Sequence, residues 1–334
     1  MVVAGFRQDF AQDYSVQSKR SEAKKESLSA ISRAWAVSRI SEACDAHVII
    51  DQTPPAIATR DGAVTLYDAS ALGACLVDSL TLGCRLRSGG RGKSPAAFGS
   101  LRDVVGALNP GGGRCKVLGC AYEFFRGSHG GPEARTGDET LLNMASASAV
   151  CPPNDLYKWS RAEFYVMRGL SRRQTGGKGV GGSVSTEEDA REWLLGEWKA
   201  FEEAGVMDTQ DIALCPRAFV AAGDLQALPP GFPTALLRPP ESDEGAADSA
   251  PQTEVSSVIQ FASGKGVGVA LERLCGDLKR AAGHPSVAAS LQTWDLGRED
   301  LAEMAETLAT LREDAMGRHG EGLGLSGSES EGED

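Results

Sequence analysis

Three glycine clusters carry the residue types that could hold a phosphate. Gly92-Lys93-Ser94 has the ending of a Walker loop. That motif also needs a glycine five residues before Gly92, where Arg87 stands, and a strand upstream where this chain has a helical pattern. A plain surface loop accounts for it better. Gly176-Gly177-Lys178 is followed by Gly179 where Ser or Thr is required, so a hairpin or flexible insert is the better reading. Gly264-Lys265-Gly266-Val267-Gly268 lies between an expected strand and an expected helix. One anion contact on backbone N–H groups would suit that position. The alternative, which we favour, is a tight strand-to-helix turn that uses the φ freedom of glycine.

Metal and nucleophile chemistry finds less support. The four histidines (47, 129, 284, 319) follow no ligand spacing, and the eight cysteines (44, 75, 84, 115, 120, 151, 215, 275) contain no CxxC pair. Scattered cysteines within apolar stretches read as reduced core residues rather than disulfides or zinc ligands. Neither GxSxG nor HExxH occurs. No catalytic, cofactor-binding or metal residue is therefore assigned. Trp193 and Trp198 share a helical stripe that suits a core, with a partner-binding face as the alternative.

The elements that would position any site alternate between helix and strand, which makes the class α/β. Residues 1–20 read as irregular. Ser21–Ala46 has apolar residues near helical spacing, and His47–Asp51 is a short β-branched run ended by Pro54-Pro55. Leu66–Arg87 is apolar on nearly all sides, the pattern of a helix in the centre of a larger protein. Phe98–Leu108 reads as a short helix, Cys115–Cys120 as a strand running on toward Phe125, and Glu163–Leu170 as a strand. Thr186–Ala204 is an amphipathic helix; Ile212–Cys215 and Ala218–Ala222 are weaker strands. Ser256–Phe261 is a strand, with helices at Val267–Ala282 and Arg298–Met316. Loops are expected at 126–138, 173–186 and 229–254.

Charge excludes further classes. The 334 residues carry a net charge of −12. Residues 241–254 and 320–334 hold five acids each with no Lys or Arg, so the remainder carries only −2. Phosphate binding needs clustered Lys and Arg, so nucleic acid is not an expected partner. The longest apolar run, Ala69–Val77, falls far short of a membrane span, and Asp9 and Asp13 stand where a mitochondrial presequence avoids acids. Residues 317–334 read as an acidic disordered tail.

Three stretches carry a family resemblance: Tyr67-Asp68-Ala69 with the apolar helix ending Cys84-Arg85-Leu86; the strand Phe164–Arg172 with its Arg168-Gly169 and Arg172; and Val258–Leu308. They resemble the C-terminal half of the Misato family, tubulin-like proteins of mitochondrial distribution and inheritance. Tubulin itself is similar more distantly, in its central helix, a following Leu-Arg, a strand ending in Arg-Gly, a strand–loop–helix and an acidic tail. The resemblance spans roughly residues 20–316. It implies an incomplete tubulin/FtsZ-like fold: 21–65 as a remnant of the nucleotide domain, 66–87 as the central helix, 96–282 as the smaller sheet domain and 298–316 as the C-terminal helix. It implies also that an N-terminal, GTP-holding half is missing.

At the place of the family's hydrolysis-activating pattern, Asn-x-Asp-Leu-Arg, stand Phe98, Ser100, Leu101 and Arg102. Without a carboxylate there, hydrolysis lacks its general base. The resemblance thus implies a non-enzymatic protein without cofactor, in the cytoplasm and peripherally on the outer face of the mitochondrion, engaging mitochondrial-surface or cytoskeletal protein partners without inserting in the membrane. The alternative is a tubulin/FtsZ-related cytoskeletal protein that binds GTP only through the missing half. Half of the central helix should then lack cover. With Leu72, Cys75, Leu76, Val77, Leu80 and Leu82 around its circumference, about three exposed side chains would forfeit roughly 1.5–3 kcal/mol each. Marginal stability and self-association through that helix are the expected results.

Overall fold

Alternation along the central strands decides how this molecule is layered. The structure, a computed structural model, describes residues 2–6, 19–51, 66–86, 100–112, 114–126, 129–130, 145–146, 160–171, 182–203, 215–230, 232, 237–238, 253–284 and 287–317. Its elements in chain order are β1 (Val2–Phe6), α1 (Lys19–Ala43), β2 (His47–Asp51), α2 (Leu66–Leu86), α3 (Leu101–Leu108), β3 (Gly119–Arg126), β4 (His129–Gly130), β5 (Ala145–Ser146), β6 (Ser160–Arg168), β7 (Leu170–Ser171), α4 (Glu187–Glu203), β8 (Arg217–Ala222), β9 (Gln226–Ala227), β10 (Leu237–Arg238), β11 (Glu254–Gly264), α5 (Lys265–Ala282), α6 (Ala288–Thr293) and α7 (Arg298–Met316). The class is mixed α/β.

The main sheet runs β10-β3-β11-β6-β8, with β5 beside β3 and β9 beside β11. β11 is antiparallel to both β3 and β6, whereas β6 and β8 are parallel, so the sheet is mixed. On β6, Phe164 and Val166 point to one face and Tyr165 and Met167 to the other, as the two-residue period of a strand requires. The first face carries α2 and α3 with Phe232; the second carries α1, α4, α5 and α7. Both faces are apolar, which explains why β11 is buried along ten of its eleven residues.

Several expectations need correction. Residues 1–20 are not irregular throughout: Val2–Phe6 is a strand paired in parallel with β2, from Val2 opposite His47 to Phe6 opposite Asp51. The run Val2-Val3-Ala4 is β-branched and apolar enough for a strand, but its partner lies far along the chain. α1 does not sit with a separate remnant, because Leu28, Ile31, Ala34 and Val37 share one core with α5 and α7. The strand expected at Cys115–Cys120 begins only at Gly119; before it, Val117 makes a single bridge to His47. The expected loops at 126–138, 173–186 and 229–254 include short paired pieces: β4, Ser183 bridging Ser171, and β10. Cys215 is a bend, and the rest of the expected strand Ile212–Cys215 lies outside the described residues, as do Gly92-Lys93-Ser94, Gly176–Gly179 and 318–334.

The largest correction concerns α2. Leu72, Cys75, Leu76, Leu80 and Leu82 are all buried, and of the six residues named above only Val77 is exposed, at 42%. The cover comes from this chain's own sheet face (Tyr122, Phe124, Phe164, Phe261), from Val104 and Leu108 of α3, and from Ala46 and Val48 at the start of β2. Among the six residues named, the exposed apolar area on which marginal stability rested is therefore reduced to Val77.

Candidate functional site

The Arg-Gly strand meets the central helix at one point. Asp78 interrupts an otherwise apolar helix, and Arg168 at the end of β6 donates from Nη1 to its Oδ2 at 2.7 Å. The second Arg168 Nη reaches the Leu225 carbonyl at 3.2 Å. Arg85 of α2 closes on the same aspartate at 2.6 Å. Beside this, Gln226 donates from Nε2 to the Cys75 carbonyl at 3.0 Å. These polar contacts fix both the rotation and the height of an apolar helix on an apolar sheet, which hydrophobic packing alone leaves loosely specified.

Gly169 follows with φ +62, a conformation that side chains rarely adopt. A Cβ there would stand 2.5 Å from Leu225 Cδ2. Its carbonyl accepts the Ser256 hydroxyl at 2.7 Å, and its N–H donates to the Ala222 carbonyl at 3.0 Å. The Arg168-Gly169 pair is thus a three-way junction of β6, the segment after β8, and β11.

A second polar centre lies on the opposite face. Glu163 of β6 is buried, and its Oε2 accepts from Arg217 Nε at 2.8 Å and from the Tyr165 hydroxyl at 3.2 Å. Its Oε1 accepts from Gln260 Nε2 at 3.2 Å, and Gln260 also donates to the Tyr165 hydroxyl at 3.0 Å. Both oxygens of this buried carboxylate are engaged by neighbouring side chains, which ties β6 to β8 and β11. Nearby Cys215 has its thiol pushed up to about 12, by burial first and by the Glu163 charge second, so it is no nucleophile near neutrality. This centre was not read from the sequence. The only local signal was Glu163 and Tyr165 two apart on one strand face.

A third arrangement joins α1 to β2. Cys44 Sγ stands 3.7 Å from His47 Nδ1 and donates to the Ile40 carbonyl at 3.0 Å. Burial raises the thiol and lowers the imidazole to about 4, the latter helped by the charge of Lys116. Both groups are therefore neutral, the reverse of an activated thiolate–imidazolium pair. In the neighbouring cleft, of about 710 Å³, Arg102, Arg114 and Lys116 face Glu42, Asp45 and Asp314. Signs balance across it, so it presents no cationic field for an anion.

The remaining sequence candidates fall into place. Gly264 has φ +131 immediately before α5, so the turn reading holds there and glycine is needed for it. Ser100 caps α3, its hydroxyl accepting from the Asp103 N–H at 3.4 Å; Phe98 lies outside the described residues. Trp193 is buried in the core, while the side chain of Trp198 lies outside the described residues. The seven cysteines among the described residues are free thiols, Cys75 pushed up to about 12 by burial and Cys120 raised further. Among the described residues no group of three His, Cys, Asp or Glu could hold a metal ion, and no helix is long and apolar enough to cross a membrane. The chain matches no protein-family model and no curated protein.

Proposed function

We propose that this chain is a tubulin-like interaction protein of the Misato type, acting in mitochondrial distribution, morphology and inheritance of the mitochondrial genome, with no catalytic step of its own. The observation that carries this reading is the junction at Arg168-Gly169. The residues on which the resemblance rests are the ones that clasp the central helix through Asp78 and seat β6 against β11. The order of elements supports it as well: a central helix closing on Arg85-Leu86, a strand ending in Arg-Gly, then β11, a glycine turn and α5, with α7 after them.

Partners on the mitochondrial surface or the cytoskeleton would be protein partners, and association with the organelle would be peripheral, on its outer face. Two experiments test this. Calorimetry with GTP is expected to give no saturable heat; micromolar saturable binding would move the chain to the alternative, a tubulin- or FtsZ-related GTP-binding cytoskeletal protein. Carbonate extraction of isolated mitochondria is expected to release the protein, whereas a resistant pool would contradict peripheral association.

A further inference from the structure

The outer side of α4 carries Glu188, Glu192 and Leu195 at spacings of four and three, which places them on one stripe. All three are exposed, Leu195 at 46%, although Trp193 and Leu194 next to it are buried. Neither glutamate has an ion-pair partner among the described residues; Arg191, which shares the stripe, is engaged by Glu187 at 3.2 Å.

The complement lies elsewhere on the surface. A groove of about 820 Å³ runs between the end of α5, α6 and the start of α7. Leu278, Leu291, Leu296 and Leu301 form its apolar lining, and Lys279 and Arg298 stand over it. Among the described residues no carboxylate lines it, although the chain as a whole is acidic. Lys279 and Arg298 are exposed and likewise have no ion pair among the described residues. Asp300, close by, is occupied in capping the Gly297 N–H at 2.7 Å. A leucine preceded by two acids on one surface thus complements an apolar groove with two bases on another, and among the described residues none of the four charges is paired.

We infer that α4 of one copy docks into the α5–α7 groove of a second, Leu195 entering between the leucines and Glu188 and Glu192 pairing with Lys279 and Arg298. The two surfaces differ, so the contact is head-to-tail and propagates into a ring or an open array rather than closing as a two-fold dimer. One helix in one groove buries less than the ~1,200 Å² of stable complexes, so the association is weak and depends on concentration. This inference is independent of the mitochondrial reading.

Sedimentation equilibrium of the full chain tests it. The wild type is expected to show a weight-average mass that rises with concentration beyond that of a dimer. Glu192→Arg alone and Arg298→Glu alone should each weaken association about tenfold or more, and the double variant should recover most of that loss. Leu195→Ser should abolish it. A wild type that stays monomeric at every concentration, a plateau at dimer, single reversals without effect, or a double variant no tighter than the singles would each overturn the proposal.

Discussion

The two faces of the sheet solve the problem of a buried charge in opposite ways. On the face under α1, α5 and α7, Glu163 is neutralised within the sheet itself, by Arg217 one strand away and by Tyr165 and Gln260 beside it. On the face under α2, the charge pair crosses between layers, from Arg168 of the sheet to Asp78 of the helix. The first arrangement satisfies the charge without a contact to the helices above it, whose own polar contacts, such as Arg312 of α7 to Glu272 of α5 at 3.5 Å, lie elsewhere. The second specifies where one helix sits. The difference teaches that burial depth and positional information are separate uses of an ion pair.

The comparison can be broken at its strongest point by Glu163→Gln. The variant keeps the shape but removes the Glu163 charge from beside the Arg217 guanidinium, which is only 12% exposed. Chemical denaturation should show a loss of about 3–5 kcal/mol. A loss below about 1 kcal/mol would mean that the centre is solvated and that the two faces do not differ in this respect.

Acidification probes the same side through His47. Unfolded, its imidazole takes up a proton near 6.5; folded, only near about 4. Between those values the unfolded state binds more protons, so this group's contribution falls as pH drops through the window, by a few kcal/mol in total. Relative to a His47→Gln variant, the wild type should lose stability between neutral pH and the lower end of that window. Parallel pH profiles for the two would show that the ring is solvated.

A smaller effect belongs to the crossing pair. Asp78 is 36% exposed, so Arg168→Met and Asp78→Asn should each cost about 1–2 kcal/mol. A double-mutant cycle should return a coupling above about 0.5 kcal/mol. Additive losses would remove the positional role assigned to this pair. Smallest of all is Val77→Ser, which should stay within about 0.5 kcal/mol because Val77 is exposed. A loss above about 2 kcal/mol would show that Val77 is covered in solution, as it would be by a partner.

What the sequence disclosed follows from how local each signal was. His47–Asp51 and Arg298–Met316 were readable to the residue because β-branched content and helical periodicity are complete within those spans. The helix read at Leu66–Arg87 is found at Leu66–Leu86, yet its cover was not readable. The residues that bury it come from α3, β3, β6 and β11, and apolar character says that a surface is covered without saying by what. The Glu163 centre draws Arg217 from 54 residues away and Gln260 from 97, and no spacing rule reaches across such distances. Two-residue strands such as β4, β5 and β10 are too short to show any period. Glycine chemistry was legible at Gly264 because a strand and a helix flanked it closely.

The central claim, a protein of mitochondrial distribution that acts by binding, is tested most directly by removing it from its own cells and scoring the mitochondrial network by fluorescence microscopy. The account predicts collapsed or unevenly partitioned mitochondria, restored by re-expression of the wild-type chain. A network of unchanged distribution and normal partitioning at division, with the protein verifiably gone, would contradict it.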